Sequence, residues 1–211
     1  MKDEALPQLG ALRRACAGRH EAIEALLRLD EALEPARYAR VLAGFAAFVP
    51  RWEALVRARL PARLHGWFDA RSRLPLLRRD LAALHLAPAA VDDPVAALAL
   101  PDLGAALGSM YVLEGSALGG QLIARQLRQR WDMGPDNGAG WFTGHGARTG
   151  ALWADFRACL ARELGQDAAA LASACAAGAA TFDALLRCFE QVLGAEGHTE
   201  ATMTTKMSRE V

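Results

Sequence analysis

The chain has 211 residues, and its 24 acidic and 24 basic side chains cancel to a net charge of zero. That balance excludes a broadly basic nucleic-acid binder or an acidic tail as the dominant theme. Ala and Leu supply 46 and 32 residues against 8 Val and 2 Ile. The imbalance favours helix, because Ala and Leu lose little on helix formation while β-branched residues suit sheets. The opening MKDEALPQLG lacks the apolar stretch of a signal peptide, and no apolar run reads as long enough to cross a bilayer. The expectation is a soluble, cytoplasmic, all-α protein with no membrane or nucleic-acid partner. Cys16, Cys159, Cys175 and Cys188 form no CxxC pair and sit in apolar helical contexts, which reads as small buried side chains.

A first helix is expected over about residues 8–29, where Leu9, Leu12, Cys16, Ile23 and Leu27 form a stripe at three-and-four spacing. His20 falls on that stripe. A second helix opens near Pro35, since proline suits a first turn, and buries Tyr38, Leu42, Phe45, Trp52 and Val56. A shorter one follows Pro61 through Trp67 and Phe68, and another carries Leu74, Leu77, Leu81 and Leu84. Residues 88–101, with three prolines and an Asp-Asp pair, read as a connector. A long helix is expected from about Pro101 to Arg130, interrupted in composition by GSALGG at 115–120. The Gly-rich stretch 132–150 reads as a loop. Helix resumes near Arg148 to Leu164 and again over 167–193, leaving a polar, frayed tail over 194–211. No internal repeat or long linker divides the chain, so residues 1–193 read as one helical domain.

Common catalytic signatures are missing: no GxGxxG after a strand, P-loop, HExxH, GxSxG or Glu-x-x-His pair is present. Two features stand out instead. Glu24 follows His20 by one helical turn, so the two side chains meet on one face. A carboxylate at Nδ1 would fix the tautomer and leave Nε2 free for a metal; an ordinary helix-surface pair is the plainer alternative. Second, three glycines in six residues each cost a helix interior about 1 kcal/mol relative to Ala. They either admit close packing of a neighbouring helix or let bare backbone approach a flat ligand, with a kink as a further consequence. One imidazole on one helix and bare backbone on another would hold a flat macrocycle with an open axial position, as haem chemistry requires.

LRRACAGRHEAIE (12–24), followed by Tyr38-x-x-x-Leu42, resembles the proximal helix region of haem oxygenases. YVLEGSALGGQLI (111–123) resembles their distal glycine-rich helix, and WFTGHG (141–146) with Trp153-x-x-Phe156 is similar to the bacterial branch associated with bacteriophytochromes. The likeness spans about residues 8–190 and implies a single-domain helical bundle with a kinked, Gly-rich distal helix. It implies His20 as the proximal iron ligand, oriented by Glu24, and Gly115, Gly119 and Gly120 over the macrocycle. Ser116 stands where many members carry an Asp that organises water for oxygen activation. Arg13 matches a propionate partner, Tyr111 either reaches a propionate or simply packs, and Arg148 or Arg157 would meet the second one. The implied reaction cleaves haem with O2 and electrons from an external donor, such as ferredoxin or a reductase, to biliverdin, carbon monoxide and ferrous iron. The bilin would serve a bacteriophytochrome. Two alternatives stay open: a haem carrier or sensor without turnover, and a non-haem enzyme of the same architecture that uses a nucleophilic cysteine.

Overall fold

A computed structural model of the chain describes residues 6–28 and 34–194. Every regular element among them is helical: α1 (Pro7–Leu27), α2 (Pro35–Arg57), α3 (Ala62–Asp69), α4 (Leu74–Ala83), α5 (Leu103–Trp131), α6 (Gly140–Thr143), α7 (Thr149–Leu164) and α8 (Ala168–Gly194). The expected boundaries hold to within a few residues. From residue 195 on, the expected tail lies outside the described residues. The stretch 132–150 departs from expectation, because it contains α6 and a 3-10 turn at Gly146–Arg148. A buried acid explains α6: Asp80 is fully buried and accepts the backbone N–H groups of Gly140 and Trp141 at 2.8 and 2.6 Å. Burial pushes the Asp80 carboxyl up, against the opposing pull of those two donors.

The α8 helix is the centre of the packing. Its contacts with α5 and α1 advance in the same direction along both partners, so the three helices run parallel. A Cβ on Gly104 or Gly108 would collide with the carbonyls of Ala170 and Ala174, which shows how closely α5 and α8 approach. A Cβ on Gly178 of α8 would come to 3.1 Å from Cys16 Sγ of α1 and 3.2 Å from the Gly108 carbonyl of α5, so both helices press on α8 at this point. Gln8 of α1 donates to the Gly165 carbonyl just ahead of α8 at 2.7 Å. A buried chain of hydrogen bonds ties in α2: Trp52 Nε1 donates to Ser109 Oγ at 2.8 Å, Ser109 meets Thr181 Oγ1 at 2.7 Å, and Thr181 donates to the Ala177 carbonyl. The α8 helix is also long and apolar enough to cross a membrane, contrary to the expectation from sequence. Its apolar residues Phe182, Leu185, Cys188, Phe189 and Leu193 are buried in the bundle core.

The α5 helix stays helical without a break through Gly115–Gly120. The glycines therefore change which atoms form its surface without interrupting it.

Candidate functional site

A cavity of about 700 Å³ opens between α1 and α5. The α8 residues Phe182, Leu185 and Phe189 form part of its wall, with Phe45 of α2 and Trp141 and Phe142 of α6. The volume falls within the range of sites for drug-sized and cofactor-sized ligands. Of the residues singled out in the sequence, Arg13, His20, Glu24, Tyr111, Gly115, Ser116, Gly119 and Gly120 all line it. Arg148 does not: it is exposed on the 3-10 turn and turned to solvent. Arg157 is half-buried on α7, its guanidinium 6.0 Å from the Trp153 ring, and does not line the cavity either.

His20 lies on α1 but is not packed into the core as its stripe position suggests. Its side chain is 56% exposed, with Nδ1 3.4 Å from Glu24 Oε2. The ring of Phe182 meets it edge to face, centroids 5.9 Å apart at 79°. Among the described residues no three His, Cys, Asp or Glu side chains gather to hold a metal ion. A lone imidazole does not retain a bare ion; it suits a metal whose other ligands arrive with it.

The glycines divide by environment. A Cβ built on Gly115 or Gly119 meets no atom within 4 Å, so neither is small for the sake of a packed neighbour. Gly120 differs: its Cβ would come to 3.0 Å from the Phe142 carbonyl, so this glycine seats α6. Close helix packing, the alternative reading of the glycine cluster, is served about two and three turns earlier by Gly108 and Gly104. Bare backbone at Gly115 and Gly119 leaves room for a flat group against α5. Leu118 and Leu122, 40% and 58% exposed, stand at the cavity edge.

Arg73 was invisible in the sequence. It opens α4 and is buried, its guanidinium 4.1 Å over the Trp141 ring. Its Nη2 donates to the Leu113 carbonyl at 2.7 Å and to Ser116 Oγ at 3.0 Å. Ser116 Oγ in turn donates to the Leu113 carbonyl at 2.8 Å. Burial lowers the Arg73 pKa to about 10, so the group stays charged at neutral pH. Nothing in RSRLP marks this arginine off from the other basic residues of the chain.

A second, small cavity of about 30 Å³ lies behind α5, against Glu53, Ser72 and Arg73. It is large enough for about one water. Burial raises the Glu53 carboxyl pKa, although Ser72 donates to it at 2.7 Å. Beside it, Arg71 pairs with Glu114 at 3.0 Å and Asp155 at 2.8 Å, joining α5 to α7.

The remaining candidates sort simply. Arg13 hydrogen-bonds the Tyr111 hydroxyl, so both stand together at one side of the cavity. His65 and His145 are paired with the backbone carbonyls of Leu60 and Arg71 at 2.9 and 3.1 Å. Cys16 lines the cavity, but burial pushes its thiol up to about 11, and that of Cys188 likewise. Burial raises Cys159 and Cys175 too. None of the four is a ready thiolate nucleophile.

No family model matches the chain. A heme oxygenase from Xanthomonas campestris pv. campestris (strain 8004) is 37% identical over 157 residues, covering 69% of this chain and 80% of the relative. The crystallographic heme oxygenase from Neisseria meningitidis, solved with NO and CO bound, matches with a TM-score of 0.68 over 87% of this chain and 90% of its own. At 19% identity that second likeness is one of fold.

Proposed function

The chain belongs to the haem oxygenase family, and on that premise we propose that it binds haem between α1 and α5 and opens the macrocycle. The products are biliverdin, carbon monoxide and ferrous iron. The observation that carries this reading is the pair of walls: an imidazole on α1, and on α5 two glycines whose missing side chains leave open space. When bound, haem supplies the iron at which oxygen is reduced. Everything else falls to the chain. His20 would hold the iron through Nε2, while Glu24 faces Nδ1. Gly115 and Gly119 let the α5 backbone lie against the flat group. Arg13 and Tyr111 supply a cation and a hydroxyl for a propionate. Leu118 and Leu122 cover the outer edge and exclude water.

Ser116 acts as an acceptor. Its proton is directed at the Leu113 carbonyl and one lone pair is taken by Arg73. A hydroxyl has two lone pairs, so the second can hold a water by accepting from it. A water held there would keep its other proton free to donate into the cavity. The chain has no nucleotide- or flavin-binding motif, so electrons come from a separate donor, such as ferredoxin or a reductase. The bilin goes to a bacteriophytochrome, and the whole operates in the cytoplasm as one domain over residues 1–193.

The committed proton of Ser116 also favours a second reading, a haem carrier or sensor without turnover. One experiment separates the two. Haemin added to the purified chain produces a Soret band, and ascorbate with air converts it to biliverdin absorption; a carrier keeps its spectrum. His20→Ala abolishes the native Soret band and the conversion. If the variant binds and turns over haem as the parent does, His20 is not the ligand.

A further inference from the structure

We infer that Phe182 and Asp183 of α8 are positioning residues for the His20 imidazole, and that this helix, more than Glu24, sets the plane of the ring. The inference rests on the haem reading above.

The terminal torsion of a histidine is broad, so a contact is needed to hold the ring plane. Glu24 is a poor candidate. Its oxygen lies 3.4 Å from Nδ1, beyond the usual 2.7–3.2 Å of an N–H···O bond, and the two side chains are 56% and 67% exposed. An exposed pair on one helix face is weak and shares its partner with water. Phe182 is the opposite case. It is 5% exposed, its ring is packed in the core, and it meets the imidazole at 5.9 Å and 79°. That is the preferred edge-to-face arrangement. A quarter turn of the imidazole would forfeit it.

A fixed phenyl orients His20 only if α1 and α8 keep their register. The neighbouring residues provide for this. Arg19 Nε donates to Asp183 Oδ1 at 2.7 Å. One turn earlier, Cys16 sits in the notch left by Gly178. Three successive contacts thus link the two helices at Cys16, Arg19 and His20. Groups that orient a ligating imidazole from outside the coordination shell commonly tune the metal; here a ring-edge contact takes the place usually held by a hydrogen bond.

The test uses Phe182→Leu, Asp183→Asn, Glu24→Gln and the charge-reversed pair R19D/D183R. In the chain without haemin, NMR reads the ring-current displacement of the His20 ring protons. It is present in the parent and in Glu24→Gln, is lost in Phe182→Leu, and shrinks in Asp183→Asn. With haemin bound, the iron–histidine stretch and the hyperfine-shifted haem methyl pattern move in Phe182→Leu and Asp183→Asn, while Soret intensity stays within about twofold. The charge-reversed pair returns both signals toward the parent. Asp183 is half-exposed, so its variant keeps the test open should Phe182→Leu fold poorly. Larger movement in Glu24→Gln than in Phe182→Leu overturns the inference, as does a parent-like pattern in both α8 variants. A parent chain that forms no His20-dependent Soret band sinks the haem reading instead, and the ring-current result still reports on the α8 contact.

Discussion

The Ser116 hydroxyl has little freedom left. It donates to Leu113 O at 2.8 Å and accepts from Arg73 at 3.0 Å, and only one lone pair faces outward. Ser116→Ala removes that acceptor and leaves the Arg73–Leu113 bond in place. A hydrogen bond of this kind is worth about 0.5–1.5 kcal/mol, so ring opening should slow roughly three- to tenfold, while haemin affinity changes little. Single-turnover kinetics with stoichiometric haemin would check this. Unchanged turnover would show that the water is held by other groups. Arg73 is a different kind of residue. It is a buried cation bonded to backbone on α5 and stacked on Trp141, and removing it would strip partners from α5 and α6 together.

Two kinds of glycine share α5, and substitution should separate them with opposite signs. Gly108 faces the Ala174 backbone, where a methyl group has no room. Gly108→Ala should cost roughly 1–3 kcal/mol, the usual penalty for overpacking. Gly115 faces open space. Gly115→Ala should stabilise the chain without haemin by about 0.5–1 kcal/mol, since alanine is the better helix former. The same methyl group would occupy the surface meant for the macrocycle and weaken haemin binding. Urea denaturation and haemin titration on the two variants test both halves. A destabilised Gly115→Ala would mean that its surroundings are closed. A stabilised variant with parent-like haemin affinity would move the macrocycle elsewhere.

The bundle places the cavity between two helices that α8 holds in position from one side. A ligand bridging α1 and α5 therefore adds contacts across the gap that the fold leaves open, and it should stabilise the folded chain by mass action. At haemin a hundredfold above its dissociation constant the gain is about 2.7 kcal/mol. For a domain of this size that raises the melting temperature by roughly 5–10 °C. His20→Ala should retain only a small part of the increase. Calorimetry with and without haemin measures it, and an equal shift in the variant would mean that apolar wall contacts, not the imidazole, hold the ligand.

Helix limits were legible in the sequence because their causes are local. The spacing of Leu9, Leu12 and Cys16, the prolines at 35 and 101, and the run of Ala and Leu near the C-terminus all act within a few turns. The pairing of His20 with Glu24 follows from helical geometry alone, and the glycine segment announces itself by its cost. Other features depend on which elements meet in space. The short α6 depends on Asp80, about sixty residues upstream, whose carboxylate satisfies its first N–H groups. The separation of Gly115 and Gly119 from Gly108 and Gly120 depends on where α8 and α6 approach α5. Arg73 gains its place under Ser116, and His20 its contact with Phe182, by the same packing. Local periodicity can say that a face exists, but what that face meets is fixed by the non-local packing of the helices, which leaves no mark at the residues it selects.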